Sequence, residues 1–390
     1  MNLEEKIYSR YFSNLSYSEY VGVEIELPII NLDKPYTIDM QIIQELFCEL
    51  VNFNFYVLSK DNDNNIISIK NKDNGDTISL EYSCNTIELS LNKEKTINEL
   101  KNKFNKYFKY INKFFKKYNY KLSDCGINPN YKVINRSCLN HNRYKMIEKL
   151  LFNKRNKLYS QFCAYCCSIQ THINVDIDNL INVLNCFTKI EDIKDELFAN
   201  SYMCETDKKN SRKFLWEKSN FKPKNIGRNK IYKDINDLID DYKKRNLFFI
   251  ERNNKFLLLK KKTSLIKYFN NKENIVIDDL DEYGVKPESY DFDNFRSYKS
   301  VELTKYGTLE IRTDCTQEVN KIFSLVAFNV GIGLSSNEIL EYIDNGNVLT
   351  KEKLIEFSIK GLKKRNKNEE GYLEVLWKKL VFGCMKMIMA

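Results

Sequence analysis

The sequence predicts an α+β fold on an antiparallel or mixed sheet, because strands come in runs and helices come in runs. Strand-like alternation dominates residues 20–91, broken by the polar turns DNDNN (Asp61–Asn65) and KDNGD (Lys72–Asp76). A helical period then takes over, and it returns in the C-terminal third. Each predicted strand also has one apolar and one polar face, as a sheet with one side on a core requires.

In VGVEIELPII, Val23, Ile25 and Leu27 alternate with Glu24 and Glu26, which share a face. TISLEYS sets Ile78, Leu80 and Tyr82 against Thr77, Ser79, Glu81 and Ser83, and NTIELSL sets Ile87 and Leu89 against Thr86, Glu88 and Ser90. INELKNKFNKYFKYINKFFKKYNY carries Leu100, Phe104, Phe108, Ile111 and Phe115 at helical spacing. CSIQTHINVD (Cys167–Asp176) is a strand in which Cys167, Ile169, Ile173 and Val175 oppose Ser168, Gln170, His172, Asn174 and Asp176, and a helix follows over residues 178–199. Residues 205–300, rich in Lys, Asn and Asp, are irregular and read as excursions around a site. GTLEIRTD (Gly307–Asp314) is the last strand, with Leu309 and Ile311 opposing Thr308, Glu310, Arg312 and Asp314, and residues 316–390 are helical. With 12 Gly and 5 Pro in 390 residues, no linker and no internal repeat, the chain is expected to be one domain over 1–390.

An apolar content of 43% and a charged content of 29% exclude a disordered chain. The net charge of +9 follows from 62 Lys and Arg against 53 Asp and Glu, and solubility accounts for it as well as an anionic partner does. Eleven cysteines include the cluster CAYCC (Cys163–Cys167), but no second pair stands at zinc-ligand spacing. The N-terminus MNLEEKIYSRYF has no apolar core of a leader, and no apolar run approaches the ~20 residues that span a bilayer. Free thiols in a cytoplasmic, membrane-independent protein are expected.

Solvated strand faces are usually rich in Lys, yet none of the five polar faces carries one. They carry Glu24, Glu26, Glu81, Glu88 and Glu310, with His172 and Arg312. Five carboxylates on one face repel one another unless cations sit among them. Oxygen ligands with a single imidazole suit Mg²⁺ or Mn²⁺, and two or three such ions on an open sheet bind a nucleoside triphosphate by its phosphates. A basic nucleic-acid-binding protein is the competing class, suggested by the charge and by 25 Tyr, 24 Phe and 2 Trp; acidic sheet faces argue against it.

At these residues the chain resembles glutamate–cysteine ligase of the plant and bacterial branch and, more distantly, glutamine synthetase. GVEIE (Gly22–Glu26) is similar to the family's opening G-x-E-x-E strand, and ISLEYSCNTIELS (Ile78–Ser90) to its two-Glu hairpin. GINPN (Gly126–Asn130) with NRYKMI (Asn142–Ile147), CSIQTHINVD, LFANSYM (Leu197–Met203), SRKFLW (Ser211–Trp216) and TLEIRTD resemble later family segments in the same order. NSYM lacks the family's proline after NS, and Glu302 stands where plant-type members tend to carry Arg.

The resemblance implies a glutamine synthetase-like catalytic domain, with a curved, mostly antiparallel sheet, a polar active-site face and helices on the other. It implies ATP-dependent formation of a γ-glutamyl amide through a γ-glutamyl phosphate. Glu26, Glu81 and Glu88 would hold one Mg²⁺ near glutamate, and Glu24, His172 and Glu310 a second on the ATP phosphates. Arg312, with Glu310, would serve catalysis by neutralising the transferring phosphoryl group. Gln170, His172 and Asn174 would line the nucleotide side, while Arg143, Arg212 and Trp216 would bind the glutamate substrate. Arg228 is a further candidate for a substrate arginine. The partners expected are ATP, glutamate and an amine, with no nucleic acid. Cysteine is one acceptor; another amine or a peptide, in a specialised pathway, is the alternative. The oligomeric state is left open.

Overall fold

The structure, a computed structural model, describes residues 2–152, 157–219, 223–253, 255–278, 281–366 and 369–374. Among these residues the strands, in chain order, are β1 (Val21–Asn31), β2 (Phe55–Lys60), β3 (Ile66–Asn71), β4 (Thr77–Leu80), β5 (Thr86–Glu94), β6 (Tyr120–Leu122), β7 (Ser168–Asn174) and β8 (Ile226–Gly227). They continue as β9 (Asn246–Arg252), β10 (Lys255–Ser264), β11 (Asn274–Asp278), β12 (Asp281–Val285), β13 (Tyr298–Lys299), β14 (Val301–Leu303) and β15 (Thr308–Cys315).

Period-two alternation builds the main sheet. Nine strands pair in the order β14-β15-β7-β1-β5-β4-β3-β2, with β6 joined to the end of β1, and every pairing is antiparallel. The class and sheet type expected from sequence are therefore present. One face is the main core. Val23, Ile25, Leu27, Ile78, Leu80, Ile87, Leu89, Ile169, Leu309 and Ile311 are buried there. Against them lies the helix Ile97–Lys116, which opens on a capping box between Thr96 and Glu99. It buries Leu100, Phe104, Ile111 and Phe115, with Phe108 partly covered. The helices Leu180–Phe198 and Ile322–Leu334 complete the layer, the latter buried along almost its whole length. No single helix among the described residues is long and apolar enough to cross a membrane.

A second apolar cluster sits over the polar face. Ile127, Tyr131, Met146, Leu151, Phe162, Tyr165, Met203, Leu215, Phe248 and Phe249 belong to it. They come from the loop after β6, the helix Asn142–Leu151, the short turn Phe162–Ala164 and Tyr165 before β7, the loop after the helix Leu180–Phe198, the helix Ser211–Lys218 and β9. The polar face is thus roofed rather than washed by bulk water.

Three expectations need correction. Residues 205–300 are not irregular. They hold the helices Ser211–Lys218 and Ile235–Lys244, the four-stranded sheet β12-β11-β10-β9 and the parallel pair β13 and β8. The four-stranded sheet escaped notice because β9 is a continuous apolar run and β10 carries consecutive lysines, so neither alternates. Asp314 is not on the polar face. The β15–β7 register shifts between Ile311 and Asp314, and that bulge places Asp314 opposite Ile169 on the core side. Glu81 lies one residue past the end of β4, in the hairpin turn rather than on the strand. In the C-terminal part the helices Ile322–Leu334, Ser336–Asp344 and Lys351–Arg365 are formed; residues 367–368 and 375–390, also expected to be helical, lie outside the described residues.

Candidate active site

Register brings the acidic residues together. On β1, Glu26 stands directly opposite Glu88 of β5, and Glu24 opposite Gln170 of β7. His172 of β7 stands between Gly22 of β1 and Glu310 of β15. Three neighbouring strands therefore put Glu24, His172 and Glu310 in one group, whose ligand atoms lie within 4.8 Å of one another. Glu26, Glu88 and the turn residue Glu81 form a second group within the same limit. Like charges placed directly across a ladder destabilise it, so this arrangement is costly without a counter-ion.

The carboxylates of these groups floor a cavity of about 350 Å³ under the roof, and His172 lies behind them. Five carboxylates (Glu24, Glu26, Glu81, Glu88, Glu310) and three guanidinium groups (Arg143, Arg212, Arg312) line it, with Gln170 and Trp216. Arg312 pairs with Glu310, and its guanidinium carbon lies 5.8 Å from the Tyr298 ring centre. The Arg212 Nη1 donates to the Arg312 carbonyl at 3.1 Å. Trp216 stacks on Tyr298 at 5.1 Å between ring centres and meets Phe162 edge-on at 4.8 Å. Arg143 enters from the roof helix Asn142–Leu151 and faces the charges of Glu81 and Glu88.

The protonation of the floor follows from burial and crowding. Burial, and then the charge of Glu81, push Glu26 up to about 7. Glu26 stays tethered: one oxygen accepts from the Ser168 N–H at 2.6 Å and the other from Gln170 Nε2 at 3.1 Å. Burial, followed by Glu81 and Glu24, raises Glu88 well above the carboxylate range. Glu24 moves the other way. Burial opposes its charge, but His172, Arg312 and Arg143 outweigh burial and hold it below its ordinary value. His172 is raised: burial opposes its charge, and Glu24 and Glu310 overcome it.

The residues fit a divalent cation. His172 Nδ1 is 3.3 Å from Thr308 Oγ1, which is 2.8 Å from Thr304 Oγ1. With Nδ1 held there, the Nε2 faces the carboxylates, 3.4 Å from Glu24 Oε1. That Nε2 is shielded from solvent and makes no hydrogen bond, as does Gln170 Oε1. A solvent-shielded imidazole nitrogen turned toward Glu24 and Glu310 is a ligand set for Mg²⁺ or Mn²⁺.

Of the residues singled out from sequence, Asn174 falls elsewhere. It follows His172 on β7 but lines a separate cavity of about 160 Å³, alongside Tyr20, Val183 and Leu334. Arg228 is tied to Glu191 and Asp192 and does not line the main cavity. Glu302 stands opposite Glu310, but its carboxylate accepts from the buried Arg245 and from Tyr242, so it closes the sheet edge. Sequence reasoning missed Tyr298, Tyr82, Tyr144 and the two thiols Cys163 and Cys166 as lining residues. Tyr144 and the thiols lay within segments already marked, NRYKMI and CAYCC. Tyr298 gave no signal, because it sits on a two-residue strand.

Neither a protein-family model nor a curated protein matches the chain. Among solved structures it is similar to the glutamate–cysteine ligase of Francisella tularensis in complex with AMP, at 11% identity and a TM-score of 0.44, over 94% of this chain and 83% of that one.

Proposed function

We propose that the chain, as one catalytic domain, is an ATP-dependent carboxylate–amine ligase of the glutamate–cysteine ligase type. The observation that carries this reading is the pair of acidic groups, Glu24/His172/Glu310 and Glu26/Glu81/Glu88, side by side, with their five carboxylates and three arginines lining one roofed cavity. Two such groups, with separate guanidinium groups for phosphate and for carboxylate, suit a reaction that transfers a phosphoryl group from a nucleotide to an acid.

A carboxylate is a poor acyl donor until one oxygen becomes a leaving group. The γ-phosphoryl group of ATP passes to the γ-carboxylate of glutamate, ADP leaves, and an amine displaces phosphate to form the amide with loss of a proton. Phosphoryl transfer asks mainly for positioning and charge neutralisation. Glu24, His172 and Glu310, and Glu26, Glu81 and Glu88, would hold divalent cations, which would supply neutralisation of the triphosphate and polarisation of the carboxylate. Arg312, fixed by Glu310 and the Tyr298 ring, presents a planar fork to the transferring group. Arg212 and Arg143 orient the glutamate carboxylates from the roof, and Gln170 lines the nucleotide side. The Phe162–Trp216–Tyr298 wall keeps water from the acyl phosphate, whose hydrolysis would waste ATP.

The test is purified protein with ATP, Mg²⁺ and glutamate, challenged with a panel of amines that includes cysteine. ADP formation that depends on both glutamate and an amine supports the reading, and the best amine identifies the acceptor. ADP formation indifferent to every amine and to glutamate refutes it.

A further inference from the structure

The bulge in β15 has an anchor on the far side of the sheet from the cavity. Two residues, Arg312 and Thr313, stand where regular pairing would put one opposite Gln170, since Ile311 faces Thr171 and Asp314 faces Ile169. The shift turns Asp314 into the apolar core, where its side chain is 2% exposed. A carboxylate there must be paired. Lys194 Nζ, on the helix Leu180–Phe198 and equally buried, lies 2.8 Å from one oxygen. Asn329 Nδ2, on the helix Ile322–Leu334, donates to the other at 2.8 Å and to Thr171 Oγ1 at 3.1 Å. Two helices and the neighbouring strand thus hold Asp314 in place.

Packing does not ask for this. An apolar side chain opposite Ile169 would bury at no electrostatic cost, and a buried ion pair is weak evidence for stability but a strong constraint on register. What the register fixes is on the cavity side. The bulge begins at Arg312, whose carbonyl accepts from Arg212 and whose guanidinium reaches Glu310 and Tyr298. Both cavity arginines therefore depend on where β15 breaks step.

We infer that Asp314, locked by Lys194 and Asn329, is a positioning residue that sets the β15 bulge and through it aims Arg312 and Arg212 into the cavity. The inference rests on the ligase reading for its kinetic consequence, not for its structural one. In the variant Lys194→Met, Asp314 is left as an unpaired carboxylate in the apolar core, so the register that buries it is no longer held. A crystal structure should show β15 paired with β7 without the bulge, and kcat should fall about a hundredfold or more, as a displacement of about an ångström costs. KM for ATP should stay within about threefold, because the acidic floor is untouched. Asn329→Ala keeps the ion pair and removes one tether, so kcat should fall about threefold with KM unchanged; it decides the matter if Lys194→Met does not fold. An unshifted bulge with kcat at the parental level in the folded variants overturns the inference. If the parent protein forms no amine-dependent ADP, the ligase reading fails while the crystallographic register still judges this one.

Discussion

Glu26→Gln should stabilise the cation-free protein at pH 8, an unusual result for removal of a residue from a candidate active-site cavity. Glu26 is lifted from an ordinary 4.5 to about 7 by burial and by the charge of Glu81. A lift of that size corresponds to about 3 kcal/mol between protonation states. The folded form binds the proton more tightly than the unfolded chain. Its stabilising contribution is therefore complete below pH 4.5 and is lost as pH rises through about 7. The Arg212 charge and the Ser168 hydrogen bond soften this, against a larger sum of burial and Glu81.

Glutamine carries no charge, so that loss disappears. The substitution has its own cost: Glu26 accepts from both Ser168 N–H and Gln170 Nε2, and an amide replaces one of its oxygens with a donor. Gln170 can turn its amide and offer its unpaired Oε1 instead, which limits the cost to about 1 kcal/mol. The net expectation is a gain of about 2 kcal/mol at pH 8 with chelator present, shrinking toward zero or below at pH 5. Urea unfolding at both pH values measures it. With saturating Mg²⁺ the sign should reverse, because the parent then gains ligand-binding energy that the variant cannot match. A variant less stable than the parent at pH 8 without metal would refute the reasoning about Glu26.

Other expectations follow from the same geometry. Glu24→Gln and Glu310→Gln should each abolish amine-dependent ADP formation while circular dichroism stays native, and titration with Mn²⁺ followed by electron paramagnetic resonance should show one ion fewer. Arg312→Lys keeps the charge and loses the fork facing the phosphoryl group, so kcat should drop by about two orders of magnitude with KM for glutamate little changed in steady-state assays. Phe104→Ala, in the fully buried stripe of the helix Ile97–Lys116, should cost about 3–5 kcal/mol in urea unfolding without altering the KM of the folded fraction.

Much of the site could be read along the chain because strand alternation is local. Glu24 and Glu26 share a face on any extended VGVEIEL, and Gln170 and His172 do so on any extended SIQTHIN. Which carboxylate meets which is set by pairing between distant strands. The groups Glu24/His172/Glu310 and Glu26/Glu81/Glu88 came from family likeness, and register accounts for them. Asp314 was misread for the opposite reason: alternation assumes an unbroken strand, and nothing in TLEIRTD marks the extra residue. Asn174 is two residues from His172 yet lines a different cavity, since β7 ends there. The roof was the least legible part. Its contacts join residues such as Met146, Leu215 and Phe249, which no local period relates.

The polar cavity lies between two apolar clusters that are built from different stretches of chain. The acidic floor inherits its rigidity from the layer beneath, whereas Arg143 and Trp216 ride on the upper one. On the proposed ligase reading, a substitution overhead that spares Arg143, Arg212 and Trp216 reshapes the acceptor side and leaves the acidic floor in place. On that reading, engineering a new amide product becomes a problem of remodelling a ceiling, with the furnace below left alight.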